Sequence, residues 1–198
     1  MTQSNRDIGA LIGSRICHDL ISPVGAVANG VELLEMSGDT GPEVALIAES
    51  SRNATARIRL FRLAFGRATA GQTVAAGDFA AIMTEGMDDM RTRVGCAASG
   101  DIPRAEAQAA ALAAMCAIDA LPRGGRLDLS RDGACWRITA TGPALAVDPA
   151  LWAALDGGDR LPEITPAQVQ FDLLPDALSG LDRTARLDHD SDGLTLTF

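Results

Sequence analysis

The sequence predicts an α+β protein, with an N-terminal pair of long helices followed by an α/β sandwich. Three observations predict this. Apolar residues recur at helical spacing from Ile8 to Met36, and again in alternating steps of three and four from Val44 to Phe65. Beyond Gly77 short alternating runs interleave with helical ones, without a strand–helix–strand rhythm. Charge divides the chain at the same place: residues 1–70 hold seven Arg and seven acids, so residues 71–198 carry the whole net charge of −9. Two domains follow, 1–70 and 74–198, joined by the small, polar stretch from Ala68 to Thr73. The 47% hydrophobic content supports a real core.

The first helix spans Ile8 to Ser37. Its apolar stripe is Ile8, Ile12, Ile16, Leu20, Val24, Val27, Val31 and Leu34. Pro23 lies inside it, at a cost of about 3 kcal/mol, which a bend would explain. Gly38-Asp39-Thr40-Gly41-Pro42 ends this helix and starts the next, with Pro42 suited to a first turn and Glu43 to the positive helix end. The second helix runs to about Arg67. Its seam of Val44, Ile47, Ser51, Ala54, Ile58, Phe61 and Phe65 resembles a coiled coil. A hairpin of two such helices leaves apolar surface unburied, so a homodimeric four-helix bundle is expected.

In the second region Asp78 is a candidate N-cap for a helix from Phe79 to Arg93. A short strand follows from Val94 to Ser99. An Ala-rich helix from Pro103 to Leu121 is stopped by Pro122 and Gly124-Gly125. Arg126 to Ser130 and Cys135 to Thr141 form a hairpin around Asp132-Gly133. Helices are expected at Asp148 to Leu155 and Pro166 to Leu181, and final strands at Thr184 to Asp188 and Leu194 to Phe198.

Several function classes are excluded. The net acidity argues against nucleic acid as the main partner. No apolar run reaches membrane-spanning length, and no signal sequence is visible, so a cytoplasmic protein is expected. Cys17, Cys96, Cys116 and Cys135 are far apart and read as buried free thiols. With two histidines and dispersed cysteines, no metal site is expected. Asp188-His189-Asp190-Ser191-Asp192-Gly193 opens like a calcium loop, but the chain ends before the required twelfth-position acid, and an acidic hairpin turn is the expected reading. No phosphate-binding glycine loop or nucleophile elbow occurs.

The remaining candidate is His18. It falls opposite the centre of the apolar stripe, among Ser14, Arg15, Ile21, Ser22 and Gly25, with Asp19 adjacent. Imidazole near pH 7 offers a nucleophilic nitrogen suited to reversible covalent chemistry. Asp19 can orient or deprotonate it, or form an ion pair with Arg15.

His18-Asp19-Leu20-Ile21-Ser22-Pro23 resembles the phospho-acceptor core of sensor histidine kinases, His-Glu/Asp-Leu-x-Thr/Ser-Pro. The likeness continues into the second region as a pattern of loss. Where the kinase ATP-binding helix has Asn-x-x-x-Asn-Ala, this chain has Leu112 and Cys116 in the asparagine places. The adenine-reading Asp-x-Gly-x-Gly corresponds to Ala140-Thr141-Gly142-Pro143-Ala144, without the Asp and the last Gly, and a glycine-rich lid has no counterpart. Leu112 and Cys116 supply no hard oxygen for Mg²⁺, and Ala140 accepts no hydrogen bond from adenine.

This combination is similar to the ChpT-type histidine phosphotransferase family of alphaproteobacterial phosphorelays. The resemblance implies a degenerate kinase ATP-binding fold for 74–198 and a phosphoryl shuttle between response-regulator receiver aspartates through His18. It implies no cofactor of its own, Mg²⁺ being held by the partner receiver, and receivers as partners, including that of a hybrid histidine kinase. The alternatives are a divergent active histidine kinase and a scaffold or inhibitor that carries no phosphoryl group. If the hairpin turns near Asp39-Thr40, position 18 lies opposite about position 61. Arg57, Arg59 and Arg62 are then candidates to stabilise the phosphoryl group, or else they complement the helix dipole. Leu11, Ser14, Ile21, Ser22, Gly25 and Asn29 form the expected docking face, with Leu11 and Ile21 as exposed apolar anchors.

Overall fold

The computed structural model describes residues 7–37, 42–156, 163–191 and 193–198. Helix α1 spans Ile8–Ser37 and contains Pro23, and helix α2 spans Pro42–Ala64. The two pack side by side as a hairpin whose turn, Gly38 to Gly41, lies outside the described residues. Their register is set where Gly30 meets Ile47. A Cβ on Gly30 would stand 2.4 Å from Ile47 Cγ1, so only glycine permits this approach.

The predicted seam of α2 divides. Phe61 is buried and Ile47 and Ala54 are half-buried, whereas Val44, Ser51 and Ile58 are exposed. Leu60, Leu63 and Ala64, outside the predicted seam, are buried instead. The reason is that the last turns of α2 serve two contacts at once, one with α1 and one with the sheet-bearing region.

That region begins with β1 (Thr73–Ala75) and α3 (Ala76–Met87). It continues with β2 (Thr92–Ala97), β3 (Asp101–Pro103), α4 (Arg104–Asp119), β4 (Gly125–Asp132) and β5 (Cys135–Thr141). Then come α5 (Pro149–Ala153), 3₁₀ turns at Ala154–Asp156 and Pro166–Gln168, α6 (Val169–Ser179), β6 (Arg186–His189) and β7 (Gly193–Thr197). The main sheet has the order β2-β4-β5-β7-β6. Its β2–β4 pair is parallel and the rest antiparallel. A strand–helix–strand crossover through α4 is therefore present, contrary to expectation. The six-residue β2, with its mixed burial, gives too weak a pattern to show it in sequence. The small β1–β3 ribbon is not predicted from the sequence, since three-residue strands carry no period.

Helix α4 is the centre of the core. Ala107, Ala109, Ala110, Ala111, Ala113, Ala114 and Ala117 are all fully buried. A helix apolar on every side must be surrounded, and alanines let α2, α6 and the sheet approach it closely. Trp136 on β5 packs on Phe79 of α3, ring centroids 5.2 Å apart, beneath the same layer.

Two smaller expectations also change. Helix α3 begins three residues early, so its N-cap is Ala75 and Asp78 sits in its first turn. The cysteines are all free, but Cys17 and Cys135 are exposed and only Cys116 is fully buried. His189 is exposed beside the β6–β7 turn, where Gly193 N–H donates to Asp190 Oδ1 at 3.0 Å; Asp192 lies outside the described residues. No described helix is long and apolar enough to cross a membrane.

Candidate functional site

His18 stands on α1 with its side chain 85% exposed, as its place opposite the apolar stripe requires. Its backbone neighbours Ile16 and Leu20 pack against the core, which fixes the rotation of α1 and turns the imidazole outward. Asp19 differs: its side chain is only 12% exposed. One of its oxygens, Oδ1, lies 3.0 Å from His18 Nδ1. The other, Oδ2, accepts from Arg15 Nε at 2.8 Å, one helical turn back, and lies 4.0 Å from Arg57 Nη1 on α2.

Burial of Asp19 works against its charge. Hydrogen bonds from His18 and Arg15, with the positive charges of Arg15 and Arg57, outweigh it and hold the carboxyl below the usual carboxylate range. An ionised Asp19 accepts a proton-bearing Nδ1. The lone pair is then on Nε2, the exposed nitrogen, so the pair presents a nucleophile oriented by a carboxylate.

Arg57 therefore sits at the level of Asp19. The Gly30–Ile47 contact gives nearly the same register, so position 18 faces position 58 or 59, two to three residues short of the expected 61. Arg57 lines the His18 cleft together with Ser22, Asn53, Glu85 and Met90. Arg59 pairs instead with Glu85 of α3 at 3.0 Å, and with Arg62 it lines a separate groove with Arg67 and Arg104. The structure thus brings Arg57 to His18 and takes Arg59 and Arg62 elsewhere.

On the docking face, Ser14, Ser22 and Asn29 are exposed, Ile21 is 71% exposed, and space is open around Gly25. Leu11 is half-buried, not an exposed anchor as expected, because α1 leans on α6 and the 3₁₀ turn near its N-terminal half. Across the cleft, Met90 in the α3–β2 loop is fully exposed. Sequence reasoning missed it, since a lone methionine in a loop carries no pattern.

A second cleft opens on the other side of His18, between α1, the end of α4 and the 3₁₀ turn. Ser14, Arg15, Asp119 and Ala167 line it. Asp119 is exposed at the end of α4, yet its Oδ2 accepts from the fully buried Gln170 amide at 2.6 Å. Crowding by the cleft wall pushes its carboxyl up to about 6, against the pull of Arg15.

The positions compared with the kinase nucleotide site lie elsewhere. Leu112 and Cys116 on α4 are buried in the core, and Ala140 is buried in β5. Burial and the nearby Asp119 push the Cys116 thiol up, so it remains protonated.

Comparison with known proteins bears on the family of the chain. Residues 76–193 match the family model described as the histidine phosphotransferase C-terminal domain. The chain is 52% identical over 86 residues to the protein phosphotransferase ChpT of Brucella abortus (strain 2308). That stretch is 43% of this chain and spans 41% of the relative's length. A solved structure of a bacterial phosphotransferase superposes with a TM-score of 0.81 at 30% identity, covering 100% of this chain and 98% of the other. The chain belongs to the histidine phosphotransferase family.

Proposed function

We propose that this protein is a phosphorelay intermediate that carries a phosphoryl group on His18 between the receiver aspartates of response regulators. The observation that carries the reading is the exposed His18 imidazole with Nδ1 held on Asp19 at 3.0 Å, leaving Nε2 free. In the forward step the Nε2 lone pair attacks the phosphorus of a receiver's aspartyl phosphate. A P–N bond forms, the P–O bond breaks, and its electron pair returns to the receiver carboxylate. The positive charge gained by the ring is balanced by Asp19 across the Nδ1–H bond. The second transfer reverses these changes onto another receiver. In this reading Arg57, 4.0 Å from Asp19, attracts the phosphoryl oxygens; the transferring group is largely metaphosphate-like, so positioning and charge do most of the work.

In this reading residues 1–70 form the phosphotransfer and dimerisation unit. Val24 and Val31 of α1, 57% and 43% exposed, lie one heptad apart, and Val44 and Ile58 of α2, 43% and 52% exposed, lie two heptads apart. A second copy covering these valines and Ile58 makes a four-helix bundle. Residues 74–198 are a degenerate ATPase-like unit that binds no nucleotide: Leu112 and Cys116 offer no oxygen ligand and are packed into the core. The protein brings no cofactor, Mg²⁺ belonging to the receiver. It works in the cytoplasm with receivers, one of them that of a hybrid kinase.

The test is incubation with a pre-phosphorylated receiver. An acid-labile, base-stable phosphoryl group on His18, absent from His18→Ala, is expected. An unlabelled wild-type protein that still binds the receiver would favour a scaffold. Calorimetry with ATP addresses the kinase alternative, and a Kd tighter than about 0.1 mM would support it.

A further inference from the structure

We infer that Arg15 is a positioning residue for His18, and that through it the sheet-bearing part of the chain orients the imidazole. This rests on the proposed role of His18 and adds to it a source of control in the sheet-bearing part of the chain. The Arg15 guanidinium makes two bonds at once. Its Nε donates to Asp19 Oδ2 at 2.8 Å, and its Nη1 donates to the backbone carbonyl of Ala167 in the 3₁₀ turn before α6. The Ala167 carbonyl is itself fixed. It also accepts, at 2.8 Å, from the side-chain Nε2 of Gln170, which is fully buried at the start of α6. The same Gln170 nitrogen donates to Asp119 at the end of α4. A connected path therefore runs from the core through Gln170, Ala167, Arg15 and Asp19 to an 85% exposed imidazole.

The geometry gives each step a purpose. Asp19 orients His18 only while Oδ1 points at Nδ1, and rotation about the carboxyl would lose that contact. The bond from Arg15 to Oδ2 opposes the rotation. Arg15 can do so because its own other arm is held at Ala167, on a different element. Lysine has the charge but not the planar fork, so it cannot serve both acceptors in this arrangement. Asp119 adds a second carboxylate facing Arg15 from α4, which keeps the guanidinium in the cleft.

The test uses Arg15→Lys and Arg15→Gln, both at a partly exposed helix position that should tolerate change. Nitrogen-15 NMR of the unphosphorylated protein reads the His18 tautomer and needs no transfer reaction. The wild-type protein should show mainly the Nδ1–H form, and both variants should lose that predominance. Transfer from a phosphorylated receiver should fall about tenfold in kcat in both, with the half-saturating receiver concentration unchanged. A wild-type tautomer balance in both variants overturns the inference, as does mainly Nε2–H in the wild type. Normal behaviour of Arg15→Lys beside a defective Arg15→Gln also overturns it, since charge alone would then suffice. Gln170→Met gives an independent arm: if it folds, with unchanged circular dichroism, it should shift the tautomer without touching His18. If the wild-type protein accepts no phosphoryl group, the phosphorelay reading fails while the tautomer result still decides the role of Arg15.

Discussion

Nδ1 of His18 lies 3.0 Å from Oδ1 of Asp19, and this spacing selects which ring nitrogen is free to react. Replacing Asp19 with Asn keeps an oxygen acceptor but removes the charge that balances the ring during transfer. We expect Asp19→Asn to slow transfer on the order of a hundredfold, within the range of general acid–base effects, while His18→Ala abolishes it. Rapid-quench measurement of phosphohistidine formation checks both. A rate for Asp19→Asn within a factor of about two of wild type would remove Asp19 from the mechanism.

Receiver docking should centre on Ile21 and Gly25. Ile21 is 71% exposed beside His18, and nothing lies within 4 Å of a Cβ built on Gly25. Ile21→Asp or Gly25→Arg is expected to reduce transfer at least about tenfold, equal to ~1.4 kcal/mol. Helix content and dimerisation should persist, because exposed helix positions of this kind usually change stability by within about 0.5 kcal/mol. Met90→Asp, from across the cleft, should act in the same direction. Wild-type rates in all three would show that receivers approach from another side.

The helical hairpin and its His-Asp pair were legible because both depend on local signals: an apolar period over long helices and a six-residue pattern. The register between helices was not. Sequence places the turn only roughly, which brought Arg62 to the level of His18, whereas Arg59 is near the observed level but on a face of α2 that lines another groove. The Gly30–Ile47 contact that fixes the register looks like any glycine in sequence. The parallel β2–β4 pair and the path through Arg15, Ala167 and Gln170 were hidden for a related reason. They join residues far apart in the chain, and one member, the Ala167 carbonyl, is backbone with no side-chain signature.

Dimerisation should depend on the unpaired stripe. Ile58 on α2 is 52% exposed. Ile58→Asp, alone or with Val24→Asp, should give a monomer in sedimentation equilibrium at micromolar concentration, with unchanged far-ultraviolet circular dichroism. A persistent dimer would place the contact on another face of the hairpin.

Asp119 makes stability depend on pH. Its carboxyl is raised from 3.8 in the open chain to about 6 in the fold. Between these values the folded state holds a proton that the unfolded state has released. Stability therefore falls as pH rises from 3.8 to about 6, and this loss is complete above that range. Asp19 acts in the opposite sense: its lowered carboxyl stabilises the fold above 3.8 and this support is lost as pH falls. Asp119→Asn should remove the first component and gain stability relative to wild type above about pH 6. Urea midpoints of the two proteins from pH 4 to 8 test this. Arg15→Gln should raise the Asp119 carboxyl further, readable by carbon-13 NMR, because the opposing positive charge is gone.

The last prediction concerns an ion network that holds the sheet to α4. Glu106, in the first turn of α4, is buried and receives two arginines. Arg131 Nη2 of β4 lies 3.1 Å from Oε2, and Arg183 Nη2, after α6, lies 3.2 Å from Oε1. Arg183 also donates to the Ala134 carbonyl at 2.8 Å, tying the β4–β5 turn into the same cluster. Removing one partner of a fully buried pair typically destabilises by 3–5 kcal/mol, because the other charge is left without compensation. Here the side chains are 10%, 15% and 21% exposed, so water reaches part of the network and a smaller effect follows. We expect Glu106→Gln to destabilise by about 1–3 kcal/mol, read from urea denaturation. Arg131→Met and Glu106→Gln should be non-additive, since the double variant no longer strands a charge between them. Full additivity in that cycle would mean that Glu106 contributes through the helix N-terminus alone, and the arginines would then be surface residues that happen to lie near it.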